Sequence, residues 1–111
     1  MLPKSKRLTS AALDAVMEKG RAIHSPLFVM RYLGGLTDTR LSAVVPQKVV
    51  KTAVGRTSLR RKMYESARLP ISEVGSGTHI ILFAKSPAIT TDQKILEGDI
   101  RALFVKAGLL R

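Results

Sequence analysis

The run His79-Ile-Ile-Leu-Phe-Ala84 holds five apolar side chains in six residues, without alternation. A strand with one wet face alternates apolar and polar residues, so a strand apolar on both sides must be covered on both faces. The chain must therefore build a sheet and supply cover for its two sides. At 111 residues it does so as one domain, residues 1–111, large enough to bury roughly two thirds of its unfolded surface.

The other elements follow from periodicity and end signals. Ser10 is an N-cap type, and Asp14 suits the positive end of a helix dipole. Leu13, Val16 and Met17 fall at i, i+3 and i+4, and Gly20 stands where a C′ glycine ends a helix. Residues 21–33 read as extended, broken at Ser25-Pro26, with Leu27, Val29 and Leu33 alternating against Phe28, Met30 and Tyr32. Gly34-Gly35 and Thr37-Asp38-Thr39 predict a hairpin connection to a strand over 40–45, which Pro46 ends. Thr52 caps a helix over 53–67, and Pro70, Gly75 and Gly77 place a loop over 69–77. After Thr91, the residues Leu96, Ile100, Leu103, Phe104 and Ala107 form the stripe of a last helix, stopped by Gly108. The order α-β-β-β-α-β-α predicts an α+β sandwich of one small sheet and three helices.

The charge is uneven. Of a formal +11, six units sit in residues 48–68, where Lys48, Lys51, Arg56, Arg60, Arg61, Lys62 and Arg68 face one anion, Glu65. Residues 1–21 carry about +3, and residues 69–111 only about +1, because Glu73, Asp92, Glu97 and Asp99 offset their cations. At about 100° per residue, Leu59, Met63 and Ala67 share one helix face. Arg56, Arg60, Tyr64, Arg68 and Arg61 share an adjoining arc. One side suits docking on a sheet and the other suits a polyphosphate, so the segment points to RNA binding. Tyr64 equally fits a role covering apolar surface beside its arginines. Leu13, Met17 and Leu59 equally fit a core stripe.

Several chemistries lack their residues. Without Cys there is no disulfide, thiolate zinc site or cysteine nucleophile. No apolar run reaches the length of a membrane span, and Met1-Leu-Pro-Lys4 lacks the apolar stretch of a secretion signal. The basic helix lacks the Trp or Phe that anchors interfacial helices. Phosphodiester hydrolysis needs clustered carboxylates or imidazoles, whereas the eight acidic residues are scattered and His24 and His79 are solitary. A binding role is expected, with a structural RNA-binding protein such as a ribosomal protein as the alternative.

The chain resembles the protein component of bacterial ribonuclease P over essentially its whole length. The similar segments are Leu2-Pro-Lys-Ser-Lys-Arg-Leu8, Lys19-Gly-Arg21, Leu27-Phe-Val29, Arg40-Leu-Ser-Ala-Val-Val45 with Lys48, Ala53-Val-Gly-Arg56-Thr-Ser-Leu-Arg60-Arg61 with Glu65 and Arg68, and Asp99-Ile-Arg-Ala-Leu-Phe-Val-Lys-Ala-Gly-Leu-Leu110. It departs where the family opens its basic helix with Arg-Asn-Arg, since Thr57 and Ser58 follow Arg56 here. It also departs where the family sets aromatic residues along a cleft on the first helix and second strand, since Leu13, Met17 and Arg31 match those positions.

The resemblance implies a mixed sheet with a left-handed β-α-β crossover through the basic helix, against the usual hand of such connections. It implies a protein subunit of an RNA-based endoribonuclease, in which the RNA binds the catalytic Mg²⁺ and cuts the 5′ leader from precursor tRNA. No catalytic or metal-ligating residue is expected in the protein. Lys48, Lys51, Arg56, Arg60, Arg61, Tyr64 and Arg68 are the expected contacts to the ribonuclease P RNA. Leu13, Met17, Arg31 and Tyr32 are the expected wall of a precursor-tRNA leader cleft. A cytoplasmic location, no membrane and no obligate protein partner complete the expectation.

Overall fold

The computed structural model describes residues 7–75 and 77–110; the expected similarity at Leu2–Lys6 lies outside them. Helix α1 spans Ser10–Lys19, β1 Arg21–His24, β2 Phe28–Leu36, β3 Arg40–Val44, α2 Ala53–Ser72, β4 Gly77–Ala84 and α3 Gln93–Lys106. A 3-10 turn, Ser86–Thr90, leads into α3. No helix among the described residues is long and apolar enough to cross a membrane.

The predicted order holds, and so do most ends. Thr52 caps α2, its side chain accepting from the Gly55 N–H at 3.1 Å. Gly108 closes α3 at φ +79, a conformation that favours glycine. Helix α1 is capped one residue earlier than expected, by Thr9, which accepts from the Ala12 N–H at 3.2 Å. Gly20 does end α1, but at φ −75, so positive φ is not why a glycine stands there. A Cβ at this position would lie 2.4 Å from the Val16 carbonyl oxygen and 2.9 Å from that of Tyr32. Close approach of helix end to strand demands the glycine.

Two expectations need correction. Helix α2 runs on through Pro70 to Ser72, where a loop was expected from Leu69. Proline removes one intrahelical bond, yet Pro70 is buried and Ile71 packs against the core, so tertiary burial overrides propensity. The second correction concerns the sheet, whose order is β1-β2-β4-β3. β2 pairs antiparallel with β1 and β4, and β3 pairs parallel with β4. The link from β2 to β3 is thus no hairpin; it reverses the chain but leaves room for β4 between. The end of β4 fills that gap, with His79 Nε2 2.9 Å from Asp38 Oδ1 and the Thr78 N–H 3.4 Å from Thr39 Oγ1. Helix α2 is the crossover joining the parallel pair β3 and β4.

Alternation along the strands sorts side chains between two faces. Phe28, Met30, Leu41, Ala43, Ile80 and Leu82 face α2 and α3, where Leu59, Met63, Leu96, Ile100, Leu103 and Phe104 complete a closed core. Each such Leu, Ile or Phe stabilises the fold by roughly 1.5–3 kcal/mol. The opposite face carries Val29, Arg31, Leu33, Ser42, Val44, His79, Ile81 and Phe83. Among the described residues, α1 is the only helix over it, and its Val16 packs with Leu8 and Ile81 as a second, smaller cluster.

Candidate nucleic-acid interface

Burying Leu59, Met63 and Ala67 fixes the rotation of α2 and turns its cations away from the core. Arg61 and Arg68 are exposed and Arg60 partly so. Thr57 Oγ1 accepts from Arg60 Nη2 at 3.0 Å, steadying that side chain along the helix. Arg68 has a loose neighbour in Glu65 at 3.9 Å. Among the described residues, Arg56, Arg60, Arg61, Lys48 and Lys51 have no carboxylate partner. The guanidinium groups on α2 thus keep donors for an external polyanion, and Arg presents those donors in a fork that matches phosphate oxygens.

Not every expected contact is on that surface. Arg56 turns to the loop before its own helix, donating from Nη1 to the carbonyls of Val50 at 3.0 Å and Lys51 at 2.9 Å. It shapes the segment that carries Lys48 and Lys51, both exposed, and keeps part of its fork free. Lys62, left out of the expected contacts, donates to the Thr91 carbonyl and ties α2 to the turn before α3.

Tyr64 is the clear correction. It is 6% exposed, within the closed core, and its hydroxyl accepts from the Ala43 N–H at 3.1 Å. β3 is an edge strand, and this bond occupies one of its outward N–H groups. What remains accessible of the ring is met by Arg7, whose guanidinium carbon lies 5.2 Å from the centroid. Sequence reasoning missed Arg7 as a neighbour of this helix, because nothing local signals a contact 57 positions away.

The expected cleft residues divide between two faces. Leu13, Met17 and Arg31 meet where α1 lies over β2; Leu13 is half-buried and Met17 is 48% exposed. Tyr32 points the other way, against the α2/α3 core, because alternation along β2 sends it opposite to Arg31. It is no part of the cleft. Arg31 is there, but its charge is engaged: Nη2 donates to the carbonyls of Met17 at 2.6 Å and Gly20 at 3.3 Å. A cation at the negative end of α1 satisfies carbonyls left open at the helix end and clamps the helix to the sheet.

At one end of this face, Asp38 joins Arg40 Nε at 2.6 Å and His79 Nε2 at 2.9 Å. The hydrogen bond from His79, then that from Arg40, lowers the Asp38 carboxyl to a pKa of about 2. Arg40 also donates to the Arg7 carbonyl at 3.2 Å, and the Leu8 N–H donates to Ser42 Oγ at 3.2 Å, seating the start of the described chain on β3. His24 is exposed on β1. Among the described residues no three His, Cys, Asp or Glu side chains are placed to hold a metal ion.

A basic helix on the edge of a mixed sheet, with a half-covered face beside it, is the geometry to compare with known proteins. The family model for ribonuclease P matches residues 2–108. The chain belongs to the ribonuclease P protein family. The ribonuclease P protein component of Xanthomonas campestris pv. campestris (strain B100) is 30% identical over 109 residues, spanning 97% of this chain and 73% of that protein. That of Thermoanaerobacter sp. (strain X514) is 30% identical over 95 residues, spanning 85% of this chain and 81% of its own. Among solved structures, the RNase P protein of Staphylococcus aureus aligns with a TM-score of 0.81 at 21% identity, covering 97% of this chain and all of that one. The Thermotoga maritima protein aligns at 0.77 and 20%, covering 90% and 96%. At these identities the structural likeness concerns the fold, and the family match sets aside the ribosomal-protein alternative. Thr57 and Ser58, which follow Arg56 on the basic helix, are both exposed.

Proposed function

We propose that this chain is the protein subunit of a ribonuclease P ribonucleoprotein in the cytoplasm. The outer side of α2 holds the ribonuclease P RNA, and the face beneath α1 holds the 5′ leader of precursor tRNA. The observation that carries this reading is the row Arg60, Arg61 and Arg68 on α2, with Lys48 and Lys51 before it, largely unneutralised by the protein's own carboxylates. Such contacts position a phosphate backbone without reading its sequence. In this reading Mg²⁺ and the cutting step belong to the RNA subunit; among the described residues no three His, Asp or Glu side chains are placed to hold a metal ion. The protein's share is affinity: it neutralises phosphates, holds the substrate and so lowers the Mg²⁺ needed for activity.

Reconstitution with a bacterial ribonuclease P RNA tests this directly. The protein should restore precursor-tRNA cleavage at low Mg²⁺, and no stimulation at any Mg²⁺ concentration overturns the reading. With about six phosphates neutralised, affinity should fall on the order of 10³-fold between 50 and 200 mM salt. Arg60→Ala with Arg61→Ala should weaken RNA binding and flatten that salt dependence, with Tm nearly unchanged.

A further inference from the structure

Helix α3 is apolar on two opposite sides. Leu96, Ile100, Leu103 and Phe104 fill the core, while Ile95, Gly98, Ala102 and Val105 all face solvent. At about 100° per residue, the second set lies within an arc of roughly 80°, opposite to the first. A helix lying on a core normally gives that side to charged residues. Here the arc carries none, and Ile95 is 60% and Val105 48% exposed. The chain's own packing does not call for Gly98, because a Cβ there would meet nothing within 4 Å. Glycine weakens a helix interior, and it serves where another backbone comes close. Past the end of the helix, Leu109 and Leu110 join Val105, Glu73, Gly75 and Arg101 around an open hollow of about 400 Å³.

An RNA finds no cation on this strip, although the chain carries a formal +11. What fits is a second helix, and the strip is complementary to itself. Ile95 protrudes at one end and the hollow opens at the other, with the small residues Gly98 and Ala102 between them. We infer that two copies of the chain pair here through antiparallel α3 helices, about a two-fold axis beside Ala102. Such an interface is isologous, so each contact occurs twice. Ile95 of each copy enters the hollow of the other near Leu109, and Gly98 leaves room for the copy's Val105. The same register sets Asp99 within one turn of the copy's Lys106, since antiparallel helices related by a two-fold bring like flanks together. On the other flank Arg101 approaches its counterpart, but Glu73 already holds its charge. None of these residues belongs to the cationic row on α2, so the inference stands apart from the RNA-binding role.

Sedimentation equilibrium of nuclease-treated, RNA-free protein over a concentration series tests it. The wild type should pass from monomer to dimer as concentration rises, and added salt should strengthen the dimer by screening two strongly positive copies. Ile95→Lys should raise the dissociation constant by roughly 10-fold or more, as loss of a seated anchor does, while the Tm of dilute protein stays unchanged. Gly98→Leu should weaken the dimer as well and yet raise the Tm of dilute protein, because leucine is the better helix former. A residue that served only the fold would move the two readings together. The inference is overturned if the wild type stays monomeric at every concentration, or if Ile95→Lys sediments as the wild type does. Association that weakens as salt rises is bridging by residual nucleic acid, and overturns it too. So does a loss of RNA affinity in Ile95→Lys measured at concentrations where the protein is monomeric, because RNA then covers the strip.

Discussion

On the side of the sheet facing α2 and α3, Met30, Leu41, Ile80 and Leu82 have no exposed surface. On the side facing α1, burial is complete at Ile81 and falls away at Val29, Val44 and Phe83. The strands are the same, so the difference comes from the helices: 20 and 14 residues cover one side, 10 the other. One face stores most of the hydrophobic stabilisation. The other is held at its ends by polar devices, the Arg31 clamp on α1 and the Asp38, Arg40 and His79 cluster, and is left accessible between β3 and the end of β4.

The largest expected effect separates the faces by stability. Leu82→Ala should cost about 2–5 kcal/mol in a denaturant titration, through lost burial plus a cavity. Val44→Ala on the open face should cost about 1 kcal/mol or less, since solvent already reaches that site. Equal losses would abolish the distinction. Next comes the clamp. Arg31→Met removes a charged donor from two carbonyls at the end of α1 and should cost about 1–2 kcal/mol. Amide exchange should quicken in α1 and stay slow in β2 and β4; uniform quickening would mean that α1 does not open separately.

The smallest effect depends on pH. Asp38 titrates lower in the folded protein than in the unfolded chain, so its stabilisation is present above about pH 4 and is lost as pH falls through about 2. Asp38→Asn should therefore lower Tm at pH 6, with a gap that narrows below pH 4 and closes near pH 2. A gap independent of pH would assign the loss to packing rather than to the carboxylate.

What could be read from the chain was local. Thr52 as a cap and the Leu96–Phe104 stripe follow from nearest neighbours on an element and appear in the fold, while the apolar run of β4 is fully covered on one face and only partly on the other. What could not be read depended on contacts distant in sequence. The Gly34-Gly35 and Thr37–Thr39 signals specify a reversal, but not that residues 77–84 will occupy the space between its two strands. Pro70 marks a helix end in isolation, but burial against the core carries α2 past it. Tyr64 sits on the cationic arc of a helical wheel, yet its long side chain reaches under β3. The strand period separates Tyr32 from Arg31, and the same period, applied to Ile81 and Phe83, would have set Phe83 on the face beneath α1. Length of the apolar run concealed it.

β4 is the last strand made, yet it is an inner strand of the finished sheet, between β2 and β3. During synthesis neither β2 nor β3 can pair with its inner neighbour until residue 84 has left the ribosome, so the nascent chain waits with two strand edges unsatisfied. The cationic helix is translated before that closure. A newly made chain thus exposes its row of cations to any nearby polyanion while its sheet is still incomplete.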